Sequence, residues 1–424
     1  MIIVYFLILI LLLFFNIKSP TYYLIFYLIL TTKFLGFIDF SSTLLFGREI
    51  GFFGINVLTL VLSLNGLIRP KPQLKLNGVI VLVFILLSYG MIKPLLLGTS
   101  STMQSIIASK DFWYYAIFFY ILAKRNKMDV FKIIFFIKWL GIYLSFLYII
   151  GLIIPDVVPS LYYDGSSVRA SYPTYIVLAI YLLIIDRNIL GTNFLLIIKI
   201  GFCFLGLFLS GRLSLNFATV VGVVFLIYGL DKNFNLNNFS LLKLLLASII
   251  LAFFFIIIYS EFFNILYELV SNIINGTDAA VSSRVKYNVF RWDAIKENKW
   301  FGYGFIHHSS GLMNSFDASS SNRFMKSFGV IDSGYVDLLI KFGWIGLIVY
   351  FLSFGKFLFY AINKINKSIY TVVMTVFLTS YVFINYTWSV FTYPIGIVPM
   401  AVAVLIICKS IESDDRNIKT FSIN

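Results

Sequence analysis

Apolar residues run along this chain in long stretches broken by short polar punctuation, the pattern of helices that cross a bilayer. A spanning helix needs about 20 apolar residues, with a range of about 17–25. Such stretches cover 2–15, 22–37, 51–68, 77–97, 106–123, 130–154, 174–185, 194–210, 213–230, 241–260, 335–354, 369–386 and 394–408, which makes 13 segments. Several are short, so the pattern predicts an all-α polytopic membrane protein with about 12–14 transmembrane helices in a single membrane domain over 1–424. The run 2–15 has no basic n-region and no small-residue cleavage site, and is expected to be a retained helix.

The polar punctuation sets the orientation. Loop 69–75 holds Arg69, Lys71 and Lys75, and loop 124–129 holds Lys124, Arg125 and Lys127. Loop 355–368 holds Lys356, Lys364 and Lys367, and the tail holds Lys409, Arg416 and Lys419. Alternating the segments puts all four on one side, expected to be cytoplasmic. The opposite side then receives 38–50, 98–111, 155–173, 211–212, 261–334 and 387–393.

Residues 261–334 break the pattern: 74 residues without a spanning run, with both histidines, seven Lys/Arg and seven Asp/Glu. A connection this long is functional or disordered, and its aromatics (Phe290, Trp292, Trp300, Phe301, Phe305, Phe324) argue against disorder throughout. Val285, Val289, Trp292 and Ile295 recur at a helical period, with Lys286, Arg291 and Glu297 on other faces. An amphipathic helix on the membrane surface is expected from Ser282 to Asn298. A glycine-rich turn follows at Phe301 to Gly304, and then a flexible stretch over 309–322.

Composition agrees. Hydrophobic residues make up 60% and charged residues 12%, against about 25% charged in a soluble domain. The net charge of +14 falls mainly between apolar runs, so it points to lipid and cytoplasm and not to nucleic acid. Cys203 and Cys408 sit in apolar segments and read as buried small side chains. No metal-ligand spacing occurs and no cofactor is expected. The absence of paired halves with broken helices argues against an inverted-repeat transporter.

Candidate chemistry gathers on the outer side. Arg212 stands between two apolar runs in Leu209-Ser210-Gly211-Arg212-Leu213-Ser214. It either snorkels to the interface or binds an anion, with Ser210 and Ser214 as donors. Arg284 and Arg291 are two helical turns apart and share a face. They form a solvated basic face or a guanidinium pair suited to diphosphate. Arg169, in loop 155–173, is a further candidate. His307 and His308 are either idle loop residues or a proton acceptor. Asp332 is a helix cap or a general base. Lys33, Lys93, Lys132, Lys138, Lys199 and Lys341 lie in or near apolar runs, where they can snorkel.

Three stretches resemble the bacterial O-antigen polymerase and O-antigen ligase superfamily. They are Leu209 to Leu215, then Ser283-Arg284 through Arg291-Trp292-Asp293-Ala294, Asn298 and Gly302-Tyr303-Gly304-Phe305, and finally Asp332 to Phe351 with its Phe-Gly-x-x-Gly. The overlap is best over about 205–351. Many members carry His-Asn where this chain has Asp332-Ser333, which tilts the reading toward polymerase.

The resemblance implies a GT-C-like glycosyltransferase in the bacterial cytoplasmic membrane, with its active site facing outward and no metal. It implies donor and acceptor glycans on undecaprenyl diphosphate, membrane lipid, a chain-length regulator and a flippase as partners. Arg212, Arg284, Arg291 and Arg169 would then hold the diphosphate, with His308, His307 or Asp332 as catalytic base, and 261–334 would form part of the site. A ligase that moves polymer to another acceptor, and a transporter of lipid-linked sugar, are the alternatives.

Overall fold

The computed structural model describes residues 2–32, 51–67, 77–154, 162–163, 168–169, 172–190, 194–210, 212–234, 291–306, 333–387 and 389–412. Within these the chain forms α1 (Ile2–Lys18), α2 (Pro20–Thr31), α3 (Gly51–Leu67), α4 (Asn77–Leu96), α5 (Thr102–Ala108), α6 (Ala116–Lys124) and α7 (Val130–Ile153). A minimal antiparallel pair, β1 (Tyr162–Tyr163) and β2 (Val168–Arg169), precedes α8 (Pro173–Leu190), α9 (Phe194–Leu209) and α10 (Leu213–Phe234). A helix over 291–297, here α11, is followed by α12 (Gly334–Asn363), α13 (Ile369–Thr387) and α14 (Pro394–Glu412).

The described parts of the predicted apolar cores fall mainly on helix, while 33–37, 68 and 241–260 lie outside the described residues. Val130–Gly151, Gly334–Asn363 and Pro394–Glu412 are each long and apolar enough to cross a membrane, and the other apolar helices described are shorter. The fold is an all-α polytopic membrane protein. Its outward side chains agree: Phe217 is 72% exposed and Leu352 is 68% exposed, a surface that suits lipid and not water.

One predicted span is broken. The core 106–123 is divided between α5 and α6, and the two parts meet at 62°. Polar residues turn the chain there. Ser109 Oγ donates back to the Ile106 carbonyl at 2.8 Å, and Trp113 Nε1 donates to that same hydroxyl at 3.0 Å. Ser101 and Gln104 cap the start of α5 reciprocally. The bend delivers Phe112 into the core.

α8 and α14 are apolar on all faces and buried along most of their length, as helices surrounded by other helices must be. Small residues let neighbours approach. A Cβ on Gly206 of α9 would lie 2.6 Å from Cα of Ser145 on α7, which is the close packing that replaces the hydrophobic effect inside a membrane. Cys203 and Cys408 are buried and unbridged, as their setting predicted.

Polar contacts tie two basic regions together. Arg125 Nε lies 3.0 Å from Glu412 Oε1, and Lys409 Nζ lies 3.5 Å from the Asn126 carbonyl. These contacts join loop 124–129 to the end of α14, two regions that the lysine and arginine pattern placed on one side.

Candidate functional site

The Gly302-Tyr303-Gly304-Phe305 motif is wedged between α4 and α12. α12 breaks at Gly343, whose φ of 65° and ψ of −167° lie where essentially only glycine is found. In an unbroken helix the amides of Trp344 and Ile345 would bond the carbonyls of Ile340 and Lys341. Instead Trp344 donates to the Lys299 carbonyl at 2.8 Å and Ile345 to the Trp300 carbonyl at 3.2 Å. The freed carbonyls of Ile340 and Lys341 accept from Tyr303 at 2.7 Å and Gly304 at 2.8 Å.

α4 offers a matching gap. Pro94 has no N–H to give the Gly90 carbonyl one turn back. The Phe305 amide fills that gap at 2.7 Å. Five backbone bonds thus strap 299–305 to two helices. Irregular backbone survives at membrane depth only where protein satisfies it in this way. Gly302 and Gly304 have φ of 61° and 78°. A Cβ on Gly302 would meet the Ile340 carbonyl oxygen at 2.6 Å, and one on Gly304 would meet the Gly90 oxygen at 2.5 Å. The predicted turn is therefore a close backbone joint.

Side chains lock it. Phe305 is 1% exposed, and its ring centre lies 5.2 Å from that of Phe112 and 5.6 Å from that of Phe342, both edge-on. Tyr303 is buried, with its hydroxyl 3.0 Å from both the Ala294 carbonyl and Glu297 Oε2. Burial, and after it the neighbouring Glu297 carboxylate, push the Tyr303 hydroxyl pKa well up, so it stays protonated as a donor. Tyr89 Oη donates to the Phe301 carbonyl at 2.9 Å.

The joint positions α11, which carries Arg291. Seven residues of helix separate Arg291 from Asn298, about 10 Å along the axis. Arg291 is 8% exposed, and Ala294 and Ile295 are buried beside it, while Trp292 is 41% exposed. The expected apolar face was Val285, Val289, Trp292 and Ile295. In the described part Ile295 is buried as expected, but Trp292 is not, and the buried face is Arg291, Ala294 and Ile295, spaced i, i+3, i+4. Val285 and Val289 lie outside the described residues.

Arg212 stands just before α10, half-exposed, and its carbonyl accepts from the Asn216 amide at 3.0 Å. Ser210, expected to donate to a ligand, donates to the Leu207 carbonyl at 2.6 Å and closes the end of α9. Arg169 contributes its backbone to β2, opposite Tyr162. Arg284, His307, His308 and Asp332 lie outside the described residues, as do Gly211 and the side chain of Ser214.

A buried ion pair was missed. Asp337 is 1% exposed, and its Oδ2 accepts from Lys341 Nζ at 2.8 Å. Lys341 also lies over the Tyr393 ring, 5.7 Å from its centre. The signal was present as an i, i+4 spacing of opposite charges on one helix. Snorkelling, the expectation for Lys341, gives way to this pair because a buried carboxylate needs a partner. Lys138 likewise pairs with Asp186 at 2.6 Å.

Residues 196–351 match the family model described as O-antigen ligase. The match spans α9, α10, α11, the strap and the first half of α12, and so takes in Arg212, Arg284 and Arg291. No curated protein matches the chain. The match supports a likeness to the O-antigen ligase and polymerase superfamily over these residues.

Proposed function

We propose, from the match over 196–351 to the O-antigen ligase family model, that the chain is a polysaccharide polymerase. It would join oligosaccharide repeat units carried on undecaprenyl diphosphate at the outer face of the bacterial cytoplasmic membrane. The observation that carries the reading is the joint itself. Two of the three stretches that resemble the family, Gly302 to Phe305 and Phe342 to Gly346, meet there by backbone exchange, inside the matched region. The joint fixes the helix that bears Arg291.

In the reaction a hydroxyl of the acceptor glycan attacks the anomeric carbon of the donor. The new C–O bond forms as the bond to undecaprenyl diphosphate breaks, and the hydroxyl proton passes to a base. His308, His307 and Asp332 are the candidates for that base. Negative charge grows on the departing diphosphate, so fixed guanidinium groups aimed at it lower the barrier. Arg212, Arg284 and Arg291 would supply them, with Arg169 assisting. Their planar forks can grip two oxygens at once. A chain-length regulator and a flippase would act on either side of this step.

The family match supports a ligase equally well. Asp332-Ser333, in place of the His-Asn of many members, favours the polymerase. A deletion strain separates the two. Loss of a polymerase leaves single repeat units on the carrier, whereas loss of a ligase leaves long polymer there. A flippase would instead leave repeat units on the inner face.

A further inference from the structure

Lysines in the helical bundle find partners of two kinds. Lys138 and Lys341 meet carboxylates, Asp186 at 2.6 Å and Asp337 at 2.8 Å. Lys93, near the C-terminal end of α4, meets neutral groups. Its Nζ lies 5.6 Å from the Tyr89 ring centre, 5.5 Å from the Phe301 ring centre and 3.4 Å from Asn298 Oδ1. Rings and amide hold the ammonium in place, and none of the three cancels its charge.

The surroundings are apolar and exposed. Ile92 is 51% exposed, Leu96 80%, Trp300 55% and Phe301 51%. Lysine among exposed aromatic and aliphatic side chains at a helix end is the composition of a bilayer interface. Lys93 also adjoins Pro94, so it lies on α4 beside the strap that positions Arg291. A cation is therefore fixed among the exposed apolar side chains of the joint, on the predicted outer side.

We propose that Lys93, between Tyr89 and Phe301, is a binding site for the phosphate of a membrane lipid, and that it receives the prenyl diphosphate of the lipid-linked sugar from the bilayer. This rests on the transferase reading above and names where its substrate lands. The ammonium would neutralise one phosphate charge while Ile92, Leu96 and the two rings lie along the prenyl chain. A point charge accepts many orientations of phosphate, whereas a guanidinium fork selects one. That difference suits a landing site with lysine, and an inner site with arginine.

The test uses the full chain in phosphatidylcholine nanodiscs, with wild type, Lys93→Gln and Lys93→Arg matched for melting temperature. Each is titrated with undecaprenyl diphosphate and, separately, with phosphatidylglycerol, and bound lipid is counted by native mass spectrometry. Lys93→Gln should weaken the prenyl diphosphate about fivefold, from about 1 kcal/mol per basic residue near a membrane surface, and Lys93→Arg should restore it. In turnover the apparent KM should rise more than kcat falls. Equal binding by wild type and Lys93→Gln would make Lys93 a snorkelling lysine and end the proposal. Loss of phosphatidylglycerol alone would assign the site to bulk anionic lipid and end its substrate role. Lys93-dependent binding of prenyl diphosphate by a protein that forms no glycosidic product would instead sink the transferase reading and leave the lipid site standing.

Discussion

Gly343→Ala is the sharpest test of the joint. Alanine at φ 65°, ψ −167° enters a region that costs about 1–3 kcal/mol. Its Cβ would also lie 2.3 Å from the Trp300 carbonyl carbon. The helix can escape both by straightening, since Trp344 and Ile345 would then bond Ile340 and Lys341 in the ordinary way. Straightening evicts the strap. The carbonyls of Lys299 and Trp300 and the amides of Tyr303 and Gly304 lose their present partners. Each of these that water does not reach costs about 1–3 kcal/mol. Gly355→Ala is the control, because it lies in the same helix with open space around it. It should be neutral or stabilising by about 0.5–1 kcal/mol. The assay pairs melting in detergent with hydrogen exchange at 299–305. Gly343→Ala should lower the melting temperature and release the amides of Tyr303, Gly304 and Phe305. Melting and exchange indistinguishable from Gly355→Ala would refute the exchange of backbone bonds as the basis of the joint.

Other outcomes follow from the same contacts. Phe305→Ala should cost about 3–5 kcal/mol as a buried aromatic truncation, read as a lower melting temperature, whereas Trp300→Ala, at an exposed ring, should change it little. Lys341→Met leaves Asp337 buried without its cation and should cost about 3–5 kcal/mol, while the double variant Asp337→Leu, Lys341→Met should recover most of that loss in the same melt. Arg291→Ala and Arg284→Ala should each abolish polymer in cells at unchanged protein level, and Arg291→Lys should recover little, since lysine lacks the bidentate fork. Normal polymer from both alanine variants would remove the arginines from the reaction.

The helices were legible because a spanning run must be long and apolar. The turn at Gly302 and Gly304 was legible from its glycines. Its destination was not, because the partner carbonyls belong to residues that no local pattern connects to it. Gly343 hid inside an apolar run that reads as continuous helix. Pro94 was a usable signal, since a proline inside a helix always opens the carbonyl four residues before it, here Gly90. Trp292 misled the helical face, because it is exposed, and the inward face went to Arg291 and Ala294 beside the expected Ile295. Ser210 misled in the opposite way: a serine at a helix end satisfies its own helix first.

The central claim is tested most directly by supplying purified protein with one lipid-linked repeat unit and resolving the product on a gel. The account predicts a ladder of glycans spaced by one repeat, made by wild type and absent with Arg291→Ala. A wild-type protein that leaves the repeat unit unextended and transfers no preformed glycan to a second acceptor, or an Arg291→Ala ladder equal to wild type, would contradict it.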